Sequence, residues 1–155
     1  MQEPRETPGD GEPAGTVLCI EDDPVSMALA EAVLARYAGL RVLKACNGRD
    51  GVRLAQAERP RLVLLDMQLP DISGLDVVRA LTDLISQRTL RIVLLTGDAF
   101  SIEIAKAMSL GAHDYWRKPL DADRLAETLV RVLGEGADRR RGKRRSVAGG
   151  AGFEV

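Results

Sequence analysis

No apolar run in this chain approaches the roughly 20 residues needed to cross a bilayer. The opening MQEPRETPGDGEPAG is acidic and rich in Pro and Gly, without the hydrophobic segment of a secretory signal. Cysteine is scarce. Cys19 and Cys46 both fall in segments that read as core strands, so the expectation is reduced, small apolar residues in a cytoplasmic protein rather than a disulfide. Histidine occurs once, at His113, and is expected to be an exposed residue near a strand start without a metal or catalytic role. A net charge of −1 gives no electrostatic reason for the whole chain to bind nucleic acid or an anionic membrane.

What is there is an ordinary globular composition, 45% apolar and 29% charged, on 155 residues, enough for one domain with a substantial core. Charge is unevenly placed. Residues 1–15 carry four acids and one base, and the far end concentrates bases in RRRGKRR. Both ends lack apolar periodicity, so 1–15 is expected to be a disordered acidic tail and 135–155 a disordered basic one. The folded unit is then 16–134. The arginine run reads first as a solvated tail, and secondarily as a contact for nucleic acid or an acidic protein.

Within 16–134, short apolar runs alternate with amphipathic segments. TVLCI (16–20), RVLKAC (41–46), RLVLLD (61–66), RIVLLT (91–96) and HDYWRK (113–118) read as strands. Helices are expected after each. The first, from Pro24 to a stop at Gly39, has a stripe of Leu29, Val33, Leu34 and Tyr37. A weaker one begins at Asn47-Gly48 and ends before Pro60. The third spans about 75–87, with Leu75, Val78, Leu81 and Ile85 inward. A short one covers 101–110, and the last covers 121–133, with Leu125, Leu129 and Val132 or Leu133 inward. Five strands each followed by a helix imply an α/β doubly wound parallel sheet covered on both faces. In such sheets ligands bind beyond the carboxyl ends of the strands.

Those ends carry a specific set of groups. The first strand ends on Glu21-Asp22-Asp23, the third on Asp66, the fourth on Thr96 and the fifth on Lys118-Pro119. The second ends only in Asn47-Gly48, which suits an edge position. Asp23, just before Pro24, is expected to cap the first helix. Carboxylates gathered at one spot repel one another unless a cation shares it, and oxygen ligands without His or Cys suit Mg²⁺. A carboxylate is ionised at neutral pH without help from a base, and carboxylate nucleophiles that form acyl phosphates are an established covalent strategy. A buried strand would fix Asp66 in place, and Pro70 would restrict the loop after it. Asp66 is therefore expected to be phosphorylated.

These residues resemble the receiver domain of two-component response regulators across essentially all of 16–134. The resemblance lies in IEDDP, LLDMQLPDISG, LLTGD and GAHDYWRKP, with 44 residues from Asp22 to Asp66, 30 on to Thr96 and 22 on to Lys118. It implies a flavodoxin-like (βα)5 fold of three layers with strand order 2-1-3-4-5. Asp66 would be the phosphoacceptor, served by a sensor histidine kinase or a histidine phosphotransfer protein. Asp22 would hold Mg²⁺ directly, Glu21 through a water, with Asp66 and the main-chain carbonyl of Gln68 as further ligands; Mn²⁺ is the alternative ion. Thr96, Gly97 and Lys118 would bind the phosphoryl group, and Thr96 with Tyr115 would form the switch. Lys118-Pro119 would be cis. A downstream protein target would dock on the fourth helix, fifth strand and fifth helix.

Several positions depart from the commonest pattern. Glu21 stands where Asp is commoner, and Gly97 where Ala is frequent. Gln68 and Asp98 occupy positions that tune phosphoryl lifetime in the family. Trp116 alternates onto the face opposite Tyr115 and is expected to be packing or partner surface. The 21 residues after the folded unit are too few for a DNA-binding or enzymatic output module, so a stand-alone receiver without membrane contact is expected. A receiver belonging to a longer hybrid kinase is one rival reading. Another is an aspartyl phosphohydrolase, which would need a D-x-D pair where this chain has Asp66-Met67-Gln68.

Overall fold

The computed structural model describes residues 12–134. The expectations for residues 1–11 and 135–155 lie outside them. Five strands, β1 (Gly15–Ile20), β2 (Leu40–Ala45), β3 (Leu62–Asp66), β4 (Arg91–Thr96) and β5 (Asp114–Arg117), form one sheet in the order β2-β1-β3-β4-β5. Every pairing is parallel. This is the fold class and strand order the sequence and its resemblance imply.

Burial on both faces explains why the strands read as continuous apolar runs. All five residues of β3 are buried. Side chains alternate between two cores: Leu18, Ile20, Val63, Leu65, Ile92 and Leu94 face one side, and Val17, Cys19, Leu62, Leu64, Val93 and Leu95 the other. The first face is covered by α2 (Gly48–Glu58), α3 (Gly74–Ala80), α4 (Thr82–Ser86) and α5 (Ile102–Ser109). The second is covered by α1 (Pro24–Leu34) and α6 (Ala122–Leu129). Tyr115 packs on the first core and Trp116 on the second, the opposite-face placement its neighbour position requires.

Four local expectations are corrected. First, α1 ends at Leu34, well short of Gly39, because the chain turns twice (Arg36 N to Val33 O, Tyr37 N to Leu34 O) to deliver Leu40 into β2. Its buried stripe is Met27, Ala30, Val33 and Leu34, while Leu29 is exposed. The segment PVSMALAEAVL is apolar around most of its circumference, so spacing alone could not set its rotation.

Second, the helix expected over 75–87 is two, α3 and α4. They break at the fully buried Leu81 (φ −108°, ψ 12°), which turns Leu84 into the core as well, while Ile85 packs half-buried against it. Third, α6 widens after Leu129 into a π-helical turn, Val130–Gly134, and the wider turn brings both Val132 and Leu133 inside. Fourth, Cys46 follows β2 and is exposed, whereas Cys19 is buried.

Candidate functional site: a carboxylate cluster at the carboxyl edge of the sheet

Main-chain ladders continue one residue past three strands and aim the residues that follow. Glu21 N donates to Ala45 O at 3.0 Å, Met67 N to Leu95 O at 3.0 Å, and Lys118 N to Thr96 O at 2.7 Å. Parallel register thereby sets the ends of β1, β3 and β5 level with one another. Beyond β1, Asp23 caps α1 as expected, accepting from Val25 N and Ser26 N with Pro24 in the first turn. That cap turns the chain sharply and leaves Glu21 and Asp22 facing Asp66.

Ligand oxygens of Glu21, Asp22 and Asp66 lie within 4.8 Å of one another. Glu21 and Asp66 are buried and Asp22 is exposed. The ammonium of Lys118 sits 3.0 Å from Glu21 Oε1, 3.1 Å from Glu21 Oε2 and 3.4 Å from Asp66 Oδ2. Of the two Glu21 oxygens, Oε2 accepts the Lys118 hydrogen bond and another from Asp23 N at 3.2 Å. Oε1 lies at ion-pair distance but outside hydrogen-bonding geometry, and is buried without a donor.

Burial, and next the neighbouring Asp66 carboxylate, push the Glu21 carboxyl up to about 7 against the pull of Lys118. For Lys118 burial works downward, but Glu21 and Asp66 outweigh it and raise the ammonium above its ordinary value. With all three carboxyls ionised, three negative charges against one ammonium leave an excess of two. A buried carboxylate oxygen without a donor, in an all-oxygen cluster with that excess, fits a hard divalent cation.

The remaining expected residues are near but differently engaged. Gln68 N donates to Asp66 Oδ1 at 3.1 Å, and the Gln68 side-chain amide reaches Asp98 Oδ2 at 3.4 Å. Thr96 is buried; its hydroxyl accepts from Asp98 N at 3.1 Å and donates to Asp98 O at 3.4 Å. A Cβ added at Gly97 would meet nothing within 4 Å, so the space above the strand end is open there. Tyr115 is half-buried, with its ring centroid 5.4 Å from that of the exposed Phe100. The Lys118-Pro119 bond is cis. His113 is exposed at the start of β5.

Two neighbours of the site escaped the sequence reading. Phe100 lies in a loop without periodicity, and nothing in the sequence marks it. Asp71 reads as one more polar residue in the Pro-containing loop, yet it accepts hydrogen bonds from two amides of α2. Burial opposes its ionisation, but bonds from Arg49, Gly48, Ile72 and its own main chain outweigh that and hold the carboxyl down at about 2.

Comparison with known proteins agrees with this geometry. The family model described as response regulator receiver domain matches residues 17–130. Protein PilH of Pseudomonas aeruginosa is 34% identical over 117 residues, covering 76% of this chain and 96% of PilH. The polar-differentiation response regulator DivK of Brucella anthropi is 30% identical over 120 residues, 77% of this chain and 97% of DivK. Against a transcriptional regulatory protein of Streptomyces coelicolor, 37% identical over 134 residues, the chain spans 54% of the relative's length. Among solved structures, a receiver domain from a Pseudomonas aeruginosa sensor histidine kinase superposes with a TM-score of 0.68 at 30% identity, covering 78% of this chain and 98% of that one. That structure holds a magnesium ion in its active-site cleft. With no helix among the described residues long and apolar enough to cross a membrane, and with fold, family match and relatives in agreement, this chain belongs to the response regulator receiver domain family of two-component systems.

Proposed function

We propose that the chain is a phosphoryl-accepting switch whose acceptor is Asp66. The observation that carries this reading is the approach of Asp66 to Glu21 and Asp22 within 4.8 Å and to the Lys118 ammonium at 3.4 Å, at the end of a fully buried strand. An Asp66 carboxylate oxygen attacks the phosphorus of a phosphohistidine on a sensor kinase or phosphotransfer protein. A P–O bond forms, the P–N bond breaks, and its electron pair returns to the imidazole. Glu21, Asp22, Asp66 and the Gln68 carbonyl would hold Mg²⁺. The ion, when bound, offsets the repulsion between the carboxylates and the incoming phosphoryl oxygens. Lys118 pairs with one phosphoryl oxygen in a charge-assisted contact, and the open space at Gly97 admits the group.

The Thr96 hydroxyl, now engaged by Asp98, exchanges those bonds for the phosphoryl group, and Tyr115 follows it. The responding surface is α5, β5 and α6, the fourth helix, fifth strand and fifth helix in the sequence reading. The phosphoryl group acts only through contacts that differ between the two states. Gln68 stands where a phosphohydrolase with an aspartyl nucleophile carries its second aspartate, and an amide supplies no general acid there. The test is incubation with Mg²⁺ and acetyl phosphate followed by intact mass. One phosphoryl group is expected on the wild type and none on Asp66→Asn; modification of Asp66→Asn would overturn the assignment.

A further inference from the structure

Asp71 has no part in the chemistry above, yet it bridges the loop that follows the acceptor strand and the start of α2. Its Oδ1 accepts from Gly48 N at 2.8 Å and its Oδ2 from Arg49 N at 2.9 Å, the first two amides of α2. The helix's own cap, Asn47, serves the third, Asp50 N, at 2.8 Å. The donors left open at this helix start are therefore met chiefly from another loop. The same contact is sterically tight. A Cβ added at Gly48 would sit 2.4 Å from Ile72 Cγ1 and 3.1 Å from Val77 Cγ2, so only a glycine lets the loop lie this close.

The base of that loop is pinned as well. Gly74 N donates to Met67 O at 3.0 Å, and a Cβ at Gly74 would meet Met67 Cα at 2.7 Å. Gln68 lies between the two pins, with its amide on Asp66 Oδ1 at 3.1 Å. Pro70 has a restricted φ and stands between Gln68 and Asp71, which leaves the loop fewer ways to absorb a displacement at its tip.

We propose that Asp71 is a positioning residue: by clamping the β3–α3 loop to the start of α2, it holds the Gln68 main chain in register with Asp66. The inference rests on the reading of Asp66 as acceptor and Gln68 as main-chain metal ligand, and extends it to a residue that touches neither phosphoryl group nor ion. Outer contacts of this kind commonly change metal affinity by about tenfold or more when removed.

The test compares wild type, Asp71→Asn, Asp71→Ala and Gly48→Ala. Amide hydrogen exchange is followed at Gln68 in metal-free protein, and Mg²⁺ affinity by titration calorimetry. Asp71→Ala is expected to speed exchange at Gln68 by about tenfold and to weaken Mg²⁺ by about tenfold, with core strand amides unchanged. Asp71→Asn, which keeps one acceptor oxygen, falls between. Gly48→Ala, which pushes Ile72 away from the other side, reproduces the loss. Faster exchange confined to Gly48, Arg49 and Asp50, with Gln68 and Mg²⁺ affinity as in wild type, would reduce Asp71 to a helix cap and overturn the proposal. Wild type that takes no phosphoryl group on Asp66 would instead defeat the acceptor reading, while the exchange comparison still decides the clamp.

Discussion

The ammonium of Lys118 lies 3.0 Å from Glu21 Oε1, joining residues 97 positions apart in sequence. A partly buried pair of this kind contributes little net stability, because desolvation offsets the attraction. Its consequence here is placement. The Lys118 side chain is held over the carboxylate cluster, 3.4 Å from Asp66, where an incoming anion would meet it. The two residues occupy the ends of β5 and β1, which do not touch in the sheet, so the pair closes the site across β3 and β4.

Glu21 makes metal-free stability depend on pH. Burial and Asp66 raise its folded value from 4.5 to about 7. The folded state then holds its proton more tightly than the unfolded chain, so this stability is complete below about 4.5 and is lost as pH rises to about 7. The loss is on the order of 2–3 kcal/mol. Urea melts without Mg²⁺ should show it between pH 5 and 8, Glu21→Gln should flatten it, and Mg²⁺ should stabilise far more at pH 8 than at pH 5. Equal stabilisation at both would contradict the placement of the ion beside Glu21.

Asp71 should behave in the opposite sense. Held down at about 2 by the amides of Gly48 and Arg49, its contribution is present above its ordinary value of 3.8 and disappears as pH falls through about 2. The carboxyl carbon resonance of Asp71 at pH 3 should still be that of an ionised group, where an ordinary aspartate is mostly protonated. A midpoint near 4 would mean the clamp is absent in solution.

Two glycines should respond unequally to alanine. Gly97→Ala fills open space and is expected to change stability by less than about 0.5 kcal/mol. Gly51→Ala drives a Cβ to 2.4 Å from Cδ1 and 2.8 Å from Cγ1 of the fully buried Ile20. Overpacking costs about 1–3 kcal/mol against a gain in helix propensity of about 1 kcal/mol, so net destabilisation of up to about 2 kcal/mol is expected from denaturant melts.

The two thiols should be distinguishable by reagent. Burial, then Glu31 and Glu21, push Cys19 up to about 12, whereas Cys46 is exposed. A thiol-specific chromogenic reagent should titrate one group in native protein and two in urea. Rapid native reaction at Cys19, read by peptide mass, would show that the α1 side of the sheet opens.

The strand pattern was legible because β1, β3 and β4 are buried on both faces. A run such as LVLLD has no other comfortable environment in a soluble domain. The site was legible for a related reason: in a parallel sheet the residue after each apolar run must emerge at one edge, so Glu21, Asp22, Asp66, Thr96 and Lys118 could be gathered by reading strand ends. Where periodicity was weak, the reading failed. The apolar segment 24–34 did not reveal which side faces inward, and the break at Leu81 carries neither Pro nor Gly to announce it. Phe100 beside Tyr115, and the clamp from Asp71 to Gly48 and Arg49, arise between segments that share no local pattern.

What the amino-acid order determined by itself is the alternation of five strands and helices and the identity of the groups at the strand ends, since hydrophobic periodicity and turn chemistry are local properties. Only the tertiary structure decided that an oxygen of Glu21 would be buried without a donor, that the Thr96 hydroxyl would be turned to Asp98, and that a loop carboxylate would cap a distant helix. Hydrogen bonding and desolvation act over a few ångströms of space, whatever the separation along the chain, and those distances exist only once the sheet has set its register.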